Sequence, residues 1–587
     1  MKLRAPVSLL LLGILALLAG FSTWSLPSAR IEQRLVSSLW RATGLTFGFS
    51  GPIQIQLLPN PKLKFSQVSL SHADGRLRAK VKDMTASVRL LALVAGRLDF
   101  SSVTLASPEI DAGVPSDATT PAAWVAPVAR LFAGLDASAR IVITNGTVFA
   151  RSGNAISTIV RDVNVVLAER DKEEPLQLAG SMNWRGQPTT LEVMWPTSPV
   201  SNKTSFRIRS ELLRSAFDGK LVPGDGPLRL DGNFEMETPD FSRLVRWFGE
   251  TAPLASLVGQ MKLSATASLR GNVLELTSSA LQLDRDKLEG ALSLRMGEGR
   301  WNLSGTFAGA TLDMDRMVGA IDPRSAPGVD RNADFAINLD DWTKHDVDLR
   351  ISIENARFAG LRLNTVAAQL MASSGRVEAS IIRATAYKGS LRTRAVLSKP
   401  ATLTEFRLQT TVERLDLAQA SGDFGGTKRL SGTASGQFSV EGAGSSLNEV
   451  LASLSGRASA NIRNGEMPGL ALAEVVRRSE RQPLSALRDW RSGRTGFDAA
   501  NFAANISNGT IQLTDANMFG PSFRATLAGS ASVAERRLAL SGKLTATTGT
   551  LHIPFDITGP VSDPVVTPDL SVLLSGHGAD APTRAIP

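Results

Sequence analysis

Apolar and polar residues alternate with period two along most of the chain. Ile53, Ile55 and Leu57 are separated by glutamines; Val347, Leu349, Ile351 and Ile353 are separated by Asp348, Arg350 and Ser352; Leu551, Ile553, Phe555 and Ile557 follow the same rule near the end. Successive side chains of a strand point to opposite faces, so these runs predict half-buried strands with one apolar face. Helical spacing is scarcer. Ser28 to Thr43 places Ile31, Leu35, Leu39 and Trp40 on one side, with Gly44 placed to stop the helix. Pro121 to Leu135, Pro239 to Phe248, Ser446 to Leu454 and Leu470 to Trp490 are the other predicted helical stretches.

The alternation is absent at the N-terminus. Val7 to Leu26 carries no charge and is rich in leucine, and at 1.5 Å per residue it would span about 30 Å, the hydrocarbon thickness of a bilayer. Lys2 and Arg4 precede it, which predicts a cytoplasmic N-terminus and an exported body. A cleaved signal peptide is the competing reading; the length of the run and the lack of a small-x-small site favour an uncleaved anchor.

Asn145-Gly146, Asn464-Gly465 and Asn508-Gly509 each follow an alternating run, the pattern of a two-residue hairpin turn with positive φ at both central positions. A longer order also recurs: Lys287 to Leu294, Trp301 to Phe307 and Leu312 to Asp315 are echoed by Tyr387 to Leu391, Phe406 to Val412 and Leu415 to Leu417. Degenerate hairpin repeats predict a long sheet that grows by adding strands. The expected fold is mainly β with a few short helices: a single N-terminal transmembrane helix, then an elongated, twisted, repetitive antiparallel β-sheet groove with helical caps. If the apolar face stays uncovered it forms a gutter able to solvate acyl chains; a packed core is the alternative for any one strand. Leu349, Ile351, Ile353, Ile553, Phe555 and Ile557 are the lipid-groove candidates.

Composition narrows the chemistry. There is no cysteine among 587 residues, which excludes disulfides, thiolate metal sites and a cysteine nucleophile. The net charge of +9 comes from 64 basic and 55 acidic residues scattered through the strand patterns, not gathered into a dense run, so nucleic acid is not an expected partner. His72, His345, His552 and His577 are far apart and read as surface residues. Asp284, Asp286, Asp313 and Asp315 lack the further oxygen ligands of a calcium loop. Gly542-Lys543 lacks the upstream glycine of a phosphate loop, and Gly432 to Gly436 has the wrong spacing for a nucleophile elbow. No catalytic, cofactor-binding or metal-binding residues are assigned, and the chain is expected not to be an enzyme. Leu470 to Arg494 interleaves apolar residues with Arg477, Arg478, Arg481 and Arg488, which fits a basic face against an anionic membrane or a helical cap with solvated arginines.

Several segments together resemble the AsmA family of envelope proteins. They are Gly51 to Leu63, Val68 to Leu70, Leu90 to Leu98 leading to Pro108 and Ile110, Pro175 to Trp184, Leu454 to Gly456, Asn464 to Gly469, and Gly559 to Pro564. The resemblance implies a non-enzymatic inner-membrane protein of outer-membrane biogenesis, related to bridge-like lipid transfer proteins. Its partners would be phospholipids and membrane, with outer-membrane proteins or an inner-membrane partner complex as further ones. The expected organisation is a cytoplasmic start at 1–6, an anchor at 7–26, an AsmA-like N-terminal region at 27–110, a β-groove body at 111–430, an AsmA-like C-terminal region at 431–569 and a disordered tail at 570–587. Two functions follow: phospholipid carriage along the groove, or assembly and quality control of outer-membrane proteins through exposed strand edges.

Overall fold

The computed structural model describes residues 22–569, with interruptions at 27–31, 72–77, 116–138, 169–174, 197–201, 223–227, 250–257, 316–333, 424–429, 480–492 and a few shorter stretches. The expected tail at 570–587 and helix at Pro121 to Leu135 lie outside the described residues. Among those described, 31 strands alternate with seven short helices: α1 (Glu32–Thr43), α2 (Leu90–Val94), α3 (Phe241–Trp247), α4 (Leu339–Trp342), α5 (Leu417–Asp423), α6 (Leu447–Ala452) and α7 (Leu472–Ser479). The mainly-β expectation holds. The chain divides into two compact units, one of residues 1–284 and 291–301, the other of 285–290 and 302–587.

In the first unit most strands pair antiparallel with the next in sequence, as hairpin punctuation predicts. Among the exceptions, Thr46–Phe49 skips its successor to pair antiparallel with Lys62–Ser71, and Arg140–Ser152 runs parallel to both Phe100–Ala106 and Glu109–Pro115. Directly opposed residues share a face, so pairing traces one apolar ladder through Ile53, Phe65, Met84 and Leu105. All four are at most 5% exposed, because Leu35 and Leu39 of α1 join the same cluster and close the face there. The ladder continues through Ile143, Val165, Gly180, Leu191 and Ile208, where only Val165 is buried. Further along, α3 begins at Asp240, whose carboxylate accepts the Arg243 backbone N–H at 2.9 Å. It buries Trp247 against Trp184, with ring centroids 4.9 Å apart, and the Trp247 indole donates to the Trp184 carbonyl at 2.8 Å.

Several expectations need correction. Among the described residues no helix is long and apolar enough to cross a membrane. Thr23–Leu26, the described part of the expected anchor, is an extended strand paired antiparallel with Ile53–Gln56, and the remainder of that span lies outside the described residues. The expected helix over Val7 to Leu26 is corrected at that end, which is strand, and no described helix carries the single-pass inner-membrane topology drawn from it. The physical reason is that Thr-Trp-Ser-Leu also alternates, and the partner strand supplies the hydrogen bonds that a helix would have made internally. Trp40, expected on the buried side of α1, is 54% exposed. His345, expected at the surface, is buried, whereas His552 is exposed.

Of the three Asn-Gly pairs, only Asn508-Gly509 is a hairpin turn, with φ of 49° and 70° between the paired residues Ser507 and Thr510. Asn145 and Asn464 also have positive φ, but each sits inside a strand where the register with a neighbouring strand slips by one residue. These two are β-bulges, which need the same left-handed conformation for a different purpose.

Candidate functional site

In the second unit the strand pattern becomes a surface. Trp301–Asp313 pairs parallel with Asp346–Phe358, and every later strand pairs antiparallel with its successor out to Val565–Pro568. Register carries one residue from each of fourteen strands into a single ladder. It runs from Phe307 through Ile351, Ala368, Ile381 and Thr393, then Thr410, Phe438, Ala458 and Ala504, and ends with Leu513, Gly529, Leu540, Ile557 and Val566. At about 4.8 Å between strands the ladder is about 60 Å long.

The neighbouring ladder, one residue along, points to the other face. It comprises Thr306, Arg350, Gln369, Ser380, Arg394 and Gln409, then Ser439, Arg457, Asn505, Gln512 and Ser530. One face of this sheet is therefore lined by carbon and the other by polar side chains, as a surface between oil and water requires. A one-residue slip anywhere would exchange the faces beyond it. Bulges prevent that: the register shifts at Asn364/Ala367 and Val412/Leu415 coincide with positive φ at Thr365 and Arg414, so extra residues are absorbed locally and the faces stay aligned.

Among the described residues, helices cover the apolar face at its two long borders and none lies between them. At one end of the strands α4 buries Leu339 against Ala372 and Val377, and α6 packs Val450 and Leu451 where Val440, Leu454 and Ile506 are buried. At the other end α7 sets Val475 and Val476 against Phe497, Ala500, Phe523 and Leu544. There α5 is tied down by Asp423, which accepts from Arg362 at 2.7 and 2.8 Å and from the Tyr387 hydroxyl. The Arg362 guanidinium and then the Tyr387 hydroxyl hold the Asp423 carboxyl below its usual range, while burial and then Asp423 push the Tyr387 hydroxyl up. Between the borders, twelve of the fourteen ladder residues remain half-buried; Phe307 and Ala504 are the covered ones.

A model of the AsmA family matches residues 2–120 and 326–516, more than half of the chain. The chain belongs to the AsmA family. No curated protein and no solved structure matches it. The second match covers the apolar ladder from Ile351 to Leu513, so most of this AsmA-family surface falls within the matched region.

All six groove candidates lie on the apolar face. Ile351 and Ile557 are ladder members; Leu349 and Phe555 are half-buried one step along their strands; Ile353 and Ile553 are buried at 2% and 3% exposure. The Phe555 ring crosses over to cover Gly542, its direct partner, where any Cβ would collide with the ring. Of the basic candidates, Arg477 and Arg478 belong to α7, while Arg481 and Arg488 lie outside the described residues. Sequence reasoning missed the threonine and glycine members of the ladder, Thr393, Thr410 and Gly529, because their residue types carry no apolar signal and only cross-strand register places them.

Asp286, weighed above as an oxygen ligand, instead accepts from the Thr311 hydroxyl at 3.1 Å and the Asp313 backbone N–H at 3.0 Å. It is part of the strand framework.

Proposed function

We propose that this AsmA-family protein carries phospholipids between membranes of the cell envelope, with acyl chains lying on the apolar face of the second unit and head groups in water. The observation that supports the reading is the ladder, apolar over most of fourteen strands and continuous through their bulges, yet left half-exposed between border helices among the described residues. Burying each methylene of an acyl chain on such a surface is worth about 0.8 kcal/mol, so no covalent step is needed to hold a lipid. The reading assigns no catalytic residue.

The test places carboxylates in the open stretch, Ile351→Asp with Ile381→Asp, and measures capture of a photo-crosslinkable phospholipid by the full chain. Loss of capture with retained circular dichroism is the expected result. Unchanged capture would sink the proposal. Assembly through strand edges gains less support, since the edge strand Val565–Pro568 is four residues long with Pro564 before it and Pro568 at its end. Proline offers no N–H to an incoming strand.

A further inference from the structure

The polar face of the second unit carries a cavity of about 110 Å³ lined by Arg376, Arg394, Arg407, Gln409 and Val396. Val396, 8% exposed, is its apolar floor. Register explains the convergence: Glu378, Val396, Arg407 and Glu441 form one cross-strand row, and Arg394 faces Gln409 in the next. Three guanidinium groups from three strands therefore meet over one residue.

They are also held in place. Glu378, with its side chain 17% exposed, accepts Nε of Arg394 at 2.7 Å and Nη2 at 2.9 Å, and Nη2 of Arg376 at 3.0 Å. This arrangement ties two guanidinium groups to one carboxylate, and among the described residues neither Nη1 makes a hydrogen bond. Arg407 is bound only loosely, to the exposed Glu441 at 3.4 Å. Three cations thus meet two carboxylates, one of them weakly engaged, around a space several times the roughly 30 Å³ share of a liquid water molecule. Rigid planar forks converging on a small concavity are the geometry that recognises tetrahedral oxyanions.

We propose that this cavity is a binding site for a phosphate-class oxyanion, either free phosphate or the phosphate of a glycerophosphate head group. It lies on the face opposite the acyl ladder and stands whether or not that ladder carries lipid.

The test titrates the full chain at low ionic strength with inorganic phosphate and, separately, with glycerol 3-phosphate, read by calorimetry. Saturable binding is expected, weakened about tenfold or more in Arg407→Gln, the loss of one charge-assisted bond, and weakened less in Arg407→Lys. Arg350→Gln is the control: it lies on the same face, pairs with Asp348 and is not among the residues lining the cavity. Its affinity should stay within about twofold of the parent, as for a surface charge outside the contact. Tighter binding of glycerol 3-phosphate would identify a head-group site, and equal binding a free-phosphate site; both uphold the proposal. Absence of saturable binding of either probe, or equal weakening by Arg407→Gln and Arg350→Gln, would overturn it.

Discussion

Ile351 and Ile353 are two residues apart on one strand and on one face, yet truncating them should have unequal effects. Ile353 is 2% exposed, and a Cβ placed on Gly309 would lie 3.4 Å from its Cδ1, so the side chain is packed on that flank. Ile353→Ala removes three carbons from a closed site, with a cost of about 2–5 kcal/mol that includes the cavity left behind. Ile351 is half-buried and already adjoins solvent. Removing the same three carbons there forfeits about half of their transfer free energy and opens no cavity, about 1 kcal/mol. Hydrogen exchange on peptides covering Asp346–Phe358, followed by mass spectrometry, reads the local opening free energy without assuming that the two units unfold together. The expected difference between the variants is about 2 kcal/mol, taken from the middle of these ranges. Equal losses would mean that Ile351 sits in a packed core, and the open-face description of the ladder would be wrong.

Other consequences can be measured independently. The Arg394 guanidinium, followed by Arg376, holds the Glu378 carboxyl below its ordinary value of 4.5 against the opposing effect of burial. A depressed folded-state pKa contributes stability that is complete above the ordinary value and is lost as pH falls through the folded value; urea midpoints should therefore drop as the pH is lowered below that ordinary value, and less steeply in Glu378→Gln. Asp240→Ala removes the cap of α3 and should lower the stability of the first unit by about 1 kcal/mol, seen as a shift in urea midpoint with unchanged slope. Gly542→Ala should displace the Phe555 ring and destabilise its strands by about 1–3 kcal/mol, as overpacking does. A cost near zero would show that the ring does not rest on that glycine. Trp247→Phe keeps the ring contact with Trp184 but deletes the indole N–H, with an expected cost of about 0.5–1.5 kcal/mol in thermal or urea unfolding.

Family membership changes how the two units are regarded. The matched residues 2–120 include the strands closed by α1, and 326–516 include most of the open ladder, whereas residues 121–325 lie outside both matches. The closed face of the first unit and the open face of the second thus both include AsmA-type sequence. They differ in what covers the sheet: Leu35 and Leu39 share a buried cluster with Phe65 and its neighbours, while the described helices of the second unit lie along the borders of its face.

Much of this could be read from the chain alone, because strand periodicity and helix capping are local. Val347 to Ile353 and Ile553 to Ile557 alternate and are strands with one apolar face; Ser446, whose hydroxyl accepts from Glu449, starts α6 close to where its sequence placed a helix. Asn145 and Asn464 announced positive φ correctly, since a short polar side chain tolerates that conformation. Whether the residue then closes a hairpin or makes a bulge depends on the strand opposite, which local sequence does not specify. The same holds for Thr23–Leu26, whose strand state rests on its pairing with Ile53–Gln56, and for the ladder, where Thr393 and Gly529 belong only because register places them there. Sequence determined which residues could face oil or water on each strand; tertiary structure decided which of them line up, because hydrogen-bond register is a property of two strands and not of one.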